Sequence, residues 1–221
     1  MRGFLLGCTE KETISAVKKN LLCYNFHMGK EQKCAIFLAD GFEDCEGMIT
    51  IDILRRGRVP VDTVSMNETG EVHTSHGVTL LADRIYKETD PSAYDVLILP
   101  GGRRGTANLE QSESLKKAVK KHFEEGKLTC AICAAPSILG HMGLLKGRKY
   151  TCFPEFDSEY GGAYQMELAV TDGNLITGRG MGATIEFALQ ILKQLVSENE
   201  LKRVEYGMQY EHSFRYLKKP E

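Results

Sequence analysis

The chain has 221 residues, 28 lysines and arginines against 30 acidic residues, a formal net charge of −2 and a hydrophobic fraction of 42%. So balanced a charge gives no electrostatic reason to expect nucleic acid or an anionic membrane surface as a partner. No apolar run approaches the roughly 18 residues that span a bilayer, and a chain of this length holds one substantial core. Its seven cysteines, Cys8, Cys23, Cys34, Cys45, Cys130, Cys133 and Cys152, are odd in number and irregularly spaced. They read as free thiols in a reducing compartment, so the expected location is cytoplasmic. Leu5-Leu6-Gly7-Cys8 mimics a lipoprotein cleavage box, but its apolar run is shorter than the roughly 7–15 residues of a signal sequence.

Residues 1–31 carry a weak helical pattern (Ile14, Val17, Leu21, Leu22) and are placed outside the core fold, with Met28 a possible initiator. Residues 32–221 read as a single domain. Cys34 to Ala39 is a continuous apolar run, the pattern of a strand covered on both faces. Glu43 to Arg56 reads as a helix with Cys45, Ile49 and Ile53 on one stripe and Gly57 at its end. Val61–Ser65 is a second strand, residues 72–81 a small hairpin, and Asp95–Leu99 a buried strand ending in Pro100-Gly101-Gly102. Leu115 to Glu125 is helical. Leu128 to Ile132 is a buried strand that stops at Cys133, and Pro136 to Met142 begins the next helix. Asp172-Gly173 sits between apolar runs as a hairpin turn. The cluster Gly178-Arg179-Gly180-Met181-Gly182 leads into a helix carrying Ile185, Leu189, Leu192 and Val196, and an edge helix follows Ser197. Alternation of this kind predicts an α/β fold: a three-layer sandwich with a mostly parallel sheet and helices on both faces.

In such sheets ligands bind at the carboxyl ends of the strands. Three ends stand out here: the acidic Asp40–Glu46, the glycine corner at Gly101-Gly102, and Cys133. A cysteine on a sharp strand-to-helix turn projects its sulfur from the sheet, near backbone N–H groups that can hold an oxyanion. The following helix N-terminus favours thiolate over thiol. Cys130-x-x-Cys133 has redox-motif spacing, but Cys130 falls within the strand. Gly178-x-Gly180-x-x-Ala183 nominally fits a dinucleotide fingerprint, yet it sits in the last strand-helix unit, where close helix packing is the plainer reason for glycine. With no Walker-type loop and no spaced Cys/His cluster, neither a cofactor nor a metal is expected.

Glu43-Asp44-Cys45-Glu46 opening a helix that ends in Arg55-Arg56-Gly57, the Leu99-Pro100-Gly101-Gly102 corner, Ala131-Ile132-Cys133-Ala134-Ala135-Pro136, and Thr177-Gly178-Arg179-Gly180 before Glu186-Phe187-Ala188-Leu189 together resemble the DJ-1/ThiJ/PfpI superfamily, most closely its DJ-1/ThiJ branch. The likeness runs from Cys34 to Ser197 and implies a flavodoxin-like sandwich with a nucleophile elbow at Cys133. It makes Glu46 the protonated glutamate that hydrogen-bonds the sulfur, and the N–H groups of Gly102 and Ala134 the oxyanion donors. It also implies a homodimer. Gly101, Cys45, His76, Phe153 and Arg179 are candidate pocket-lining residues.

The resemblance breaks at one place. Members of the branch commonly carry a histidine before a proline after the elbow helix, and this chain reads Thr151-Cys152-Phe153-Pro154. Phe153 moves no proton, so acid/base work falls to Glu46, whose carboxyl is competent near neutrality once its pKa is raised. His76 is a weaker candidate base; His122 and His141 read as packing or surface residues, and His212 lies in the tail. The resemblance therefore implies glutathione-independent glyoxalase or deglycase chemistry on a small carbonyl substrate. The alternative is a redox sensor in which Cys133 oxidises to sulfinic acid. Glutaminase or peptidase chemistry ranks below both, because no His-x-Glu pair follows Cys133.

Overall fold

The computed structural model describes residues 32–210. The expectations for residues 1–31, for Met28 and for His212 lie outside them. Eleven strands and six helices occur in chain order among the described residues: β1 Cys34–Leu38, α1 Asp44–Arg56, β2 Val61–Ser65, β3 Glu71–His73, β4 Thr79–Leu81, β5 Arg84–Ile85, β6 Val96–Leu99, α2 Arg103–Gln111, α3 Glu113–Glu124, β7 Leu128–Ile132, α4 Pro136–His141, β8 Lys149–Tyr150, β9 Ala163–Tyr164, β10 Ala169–Asp172, β11 Leu175–Gly178, α5 Thr184–Leu195 and α6 Glu198–Met208.

Seven strands form the central sheet in the order β10-β11-β7-β6-β1-β2-β5. All neighbours are parallel except β10 and β11, the hairpin expected at Asp172-Gly173. Successive side chains of a strand face opposite ways, and both faces of this sheet are buried. Cys34, Ile36 and Leu38 of β1 pack with Ile51 and Leu54 of α1 and Phe187 and Leu192 of α5. Ala35 and Phe37 pack on the other side with Leu109 of α2, Val119 of α3 and Leu139 of α4. The chain is thus an α/β three-layer sandwich.

Four short elements escape the sequence pattern. The α2 helix is polar, with Gly105, Thr106 and Leu109 as its buried residues, and the two-residue strands β5, β8 and β9 are too short to show a period. Gly178 serves packing: a Cβ there would come within 2.8 Å of Ile132 Cδ1 and 3.0 Å of Phe187 Cβ, so its absence lets α5 press against the sheet, whereas a Cβ on Gly180 would make only an ordinary contact.

Candidate active site

Cys133 stands at the end of β7 with φ 64°, a left-handed conformation uncommon for a residue other than glycine. Two backbone bonds hold it there. Its N–H donates to the carbonyl of Gly178 at 2.9 Å, and its own carbonyl accepts from the N–H of Phe153 at 2.8 Å. Strain of this kind persists where the surroundings over-determine it, and it clusters at functional sites. Cys130 is fully buried within the strand, and both cysteines are free thiols.

Glu46 comes from the first turn of α1. Glu43 caps that helix, its carboxylate accepting from the Glu46 N–H at 2.8 Å. The cap aims the Glu46 side chain under the strand ends, where it is fully buried. Its Oε2 accepts from the Gly101 N–H at 2.9 Å, while Oε1 has no conventional hydrogen-bond partner. Burial, opposed by the Cys133 and Gly101 hydrogen bonds and assisted by the nearby Glu43 charge, pushes the carboxyl up to about 7.

Gly101 lies where these groups converge. A Cβ there would sit 2.6 Å from Glu46 Oε2, 2.7 Å from Cys133 Cβ and 2.7 Å from the Ile132 carbonyl oxygen. Only glycine admits the carboxyl and the cysteine on both sides of one backbone position. Gly102 follows with φ 86° and caps α2. Its N–H and that of Ala134 pull the Cys133 thiol down, in favour of the thiolate.

The sequence led us to expect that the helix N-terminus would by itself favour the thiolate. The structure shows a contest. Burial first, and then the charge of Glu46, push the thiol up, and these outweigh the two N–H groups while Glu46 is ionised. Thiol and carboxyl therefore titrate as a pair. A proton on Glu46 removes the opposing charge, so that burial alone is left to work against the two N–H groups.

The other candidates fall around this core. Phe153 is 38% exposed and meets Phe156 edge-on at 6.5 Å between ring centroids. Arg179 is tied to the β10 approach, its N–H donating to Leu168 O and its guanidinium to Met166 O. Cys45, half-buried next to Glu46, is a thiol pushed up by burial and the adjoining acidic charges. His76 is exposed on the hairpin of β3 and β4, and its Nδ1 lies 2.7 Å from Asp44 Oδ2. Against the cost of burial, hydrogen bonds from Thr74, His76 and Ser75 hold Asp44 down at about 2, and that carboxylate in turn raises His76. The histidine thus latches the hairpin to α1. Ligand atoms of Glu43, Asp44 and His76 lie within 4.8 Å of one another, but Glu43 is spent on the helix cap and Asp44 on three hydroxyl and imidazole contacts. His122 is buried and pushed down to about 4, chiefly by burial. His141 pairs with Glu110 at 2.5 Å. Sequence reasoning missed the Gly178 carbonyl as an anchor of Cys133 and the Glu43 cap as the aim of Glu46. The cap had a signal, an acidic residue three positions before Glu46 at a helix start.

The DJ-1/PfpI family model matches residues 32–194. The chain is 36% identical over 176 residues to protein DJ-1 homolog B of Arabidopsis thaliana, covering 78% of this chain and 40% of the relative. It therefore spans well under half the length of that plant protein. It is 35% identical over 215 residues to protein DJ-1alpha of Drosophila melanogaster, covering 94% of each. A protein named deglycase TK1284, from Thermococcus kodakarensis, is 34% identical over 74% of this chain and 99% of its own length. The crystal structure of a cysteine-to-alanine mutant of the DJ-1 superfamily protein STM1931 of Salmonella typhimurium superposes with a TM-score of 0.77 at 36% identity, over 81% of this chain and 99% of that one.

Proposed function

The chain belongs to the DJ-1/PfpI family, and from that premise we propose that it converts small reactive carbonyl compounds through a covalent Cys133 intermediate, without glutathione. The observation that carries this reading is the buried Glu46 carboxyl, hydrogen-bonded to Gly101 and facing the sulfur whose thiolate two backbone N–H groups favour.

The Cys133 thiolate adds to the aldehyde carbon of an α-oxoaldehyde such as methylglyoxal, and the oxygen takes up the proton that Glu46 held, giving a hemithioacetal. The N–H groups of Gly102 and Ala134 carry the negative charge as it develops. Glu46, now a carboxylate, takes the hydrogen on the former aldehyde carbon as a proton and returns it to the adjacent ketone carbon, while the hydroxyl proton of the first carbon passes to the ketone oxygen. The result is a hydroxyacyl thioester on Cys133. Water cleaves the thioester, giving one proton back to Glu46 and one to solvent, so that lactate leaves and the thiolate and the protonated carboxyl are restored. A carboxyl raised to about 7 suits both directions of transfer. The same hemithioacetal would serve deglycase chemistry, the activity in the name of the Thermococcus relative.

We place the protein in the cytoplasm as a homodimer, with residues 32–221 as its domain and 1–31 as an appended segment. No described helix is long and apolar enough to cross a membrane.

The test is turnover of methylglyoxal to lactate in the absence of glutathione by wild type, Cys133→Ser and Glu46→Gln. Loss in both variants supports the proposal; equal turnover by Cys133→Ser overturns it. A second reading draws on Phe153, which offers no proton where the branch commonly has histidine. In it, Cys133 thiolate attacks peroxide to give sulfenic acid and hydroxide, a second peroxide carries it to sulfinic acid, and the neutral Glu46 donates to the new oxygen. Peptide mass analysis after mild peroxide would then find added oxygen on Cys133 ahead of the other cysteines.

A further inference from the structure

Beside the nucleophile corner, a cleft of about 300 Å³ opens between α2, α4 and the loop after Phe153. Three links tie it to Cys133. Arg103 directly follows Gly102, and Ser137 Oγ donates to the carbonyl of Ala134 at 2.7 Å. The third is Phe156, whose ring touches that of Phe153. The proposed reaction does not use this space.

The lining says what kind of ligand fits. Every charged group in it already has a partner: Arg103 Nη2 donates to Glu155 Oε2 at 2.6 Å, His141 pairs with Glu110 at 2.5 Å, and Asp157 accepts from the Tyr150 hydroxyl at 2.5 Å. A charged ligand would have to break one of these contacts. Thr106 is the reverse case. It is 2% exposed, it lines the cleft, and its Oγ1 has no hydrogen-bond partner. A buried hydroxyl left in that state is costly, and a rotation about its Cα–Cβ bond that turns Oγ1 to the cleft gives it any neutral group able to donate and accept. The rings of Phe156 and Tyr160 complete the wall, with the Arg103 guanidinium 5.1 Å from the Phe156 centroid. Uncommitted hydrogen-bonding capacity beside aromatic surface, with the charged groups already partnered, suits a hydroxylated carbon chain whose C–H groups lie against the rings.

We propose that this cleft binds a neutral polyhydroxylated chain. On the carbonyl reading above, on which only this second step rests, it holds the hydroxylated tail of a sugar-derived α-oxoaldehyde while the carbonyl carbon meets Cys133.

Amide NMR of the full chain, titrated separately with sorbitol, acetate and ethylammonium, tests the site. Sorbitol is expected to give saturable shifts at Thr106, Ala107 and Tyr160, and the two ions none. Thr106→Val, which removes the hydroxyl at nearly constant volume, should weaken sorbitol about fivefold, and Thr106→Ser should restore it. Absence of saturable sorbitol shifts overturns the proposal. So does saturation by acetate or ethylammonium instead, or equal affinity in Thr106→Val and Phe156→Ala. The second step is read from kcat/KM for deoxyglucosone relative to methylglyoxal, a ratio expected to fall about fivefold in Thr106→Val. An unchanged ratio with sorbitol still bound overturns the tail assignment alone. Failure to turn over either aldehyde overturns the carbonyl reading, and the sorbitol titration then decides the cleft by itself.

Discussion

The N–H of Phe153 donates to the carbonyl of Cys133 at 2.8 Å, so the backbone at position 153 is held beside that of Cys133 whatever side chain it carries. Replacing it changes the chemistry presented there without having to rebuild the loop. Phe153→His is therefore expected to raise methylglyoxal turnover by about tenfold or more, at the low end of what a positioned acid/base contributes. It should also add a pH dependence centred near the ordinary imidazole value of about 6.5. Steady-state rates across pH 5 to 9 measure both; a variant no faster than wild type would show that Glu46 already performs every proton transfer.

The Glu46 and Cys133 pair should announce itself in alkylation kinetics. Below about pH 7 the carboxyl holds a proton and does not oppose the thiolate; above it, the carboxylate does. The rate of Cys133 modification by iodoacetamide is expected to show an inflection near pH 7 in wild type, which Glu46→Gln abolishes, leaving a single thiol titration.

Much of this corner could be read from the residues. Apolar runs betray β1, β6 and β7 because both their faces are covered, and a cysteine that ends such a run is conspicuous. The pull between Glu46 and Cys133 could not be read, since it depends on how deeply α1 buries its first turn. Nor could α2: nine residues with two arginines, a glycine and an asparagine have no clear stripe, and tertiary packing of Thr106 and Leu109 overrides their composition. The cleft is assembled from segments around positions 106, 137 and 156, and no local pattern reports such a meeting.

Gly101→Ala tests the crowding directly. Its Cβ would meet the Glu46 carboxyl, Cys133 and the Ile132 carbonyl at 2.6 to 2.7 Å, and overpacking of that order costs about 1–3 kcal/mol. Chemical denaturation should register that loss, accompanied by a fall in turnover out of proportion to it, because the displaced groups are the reacting ones.

Burial of Glu46 also has a thermodynamic sign. A carboxyl raised from its ordinary 4.5 to about 7 binds its proton more tightly in the folded chain, so its contribution is fully present below pH 4.5 and is lost as pH rises to 7. The full swing corresponds to about 3 kcal/mol. Glu46→Gln is expected to remove that decline, making the variant more stable than wild type at pH 8 in urea denaturation.

His122 acts in the opposite sense. Burial pushes it down from 6.5 to about 4, against the pull of the Leu128 carbonyl. Its contribution is present above pH 6.5 and disappears as pH falls through 4, again about 3 kcal/mol at full swing. His122→Gln should flatten the acid limb of the stability curve. Identical midpoints for variant and wild type at both pH 4 and pH 7.5 would remove His122 from the acid response.

The anchor of Cys133 on Gly178 has a bearing on synthesis. The hydrogen bond that pins the nucleophile reaches forward 45 residues, to a strand made after everything else at the corner. A nascent chain that has already emerged with Glu46, Gly101 and Cys133 still lacks the partner that fixes the left-handed turn. Until β11 docks beside β7, the turn at Cys133 has one of its two backbone anchors, the N–H of Phe153. A ribosome-bound fragment ending before Gly178 would carry Glu46, Gly101 and Cys133 with that turn held from one side alone.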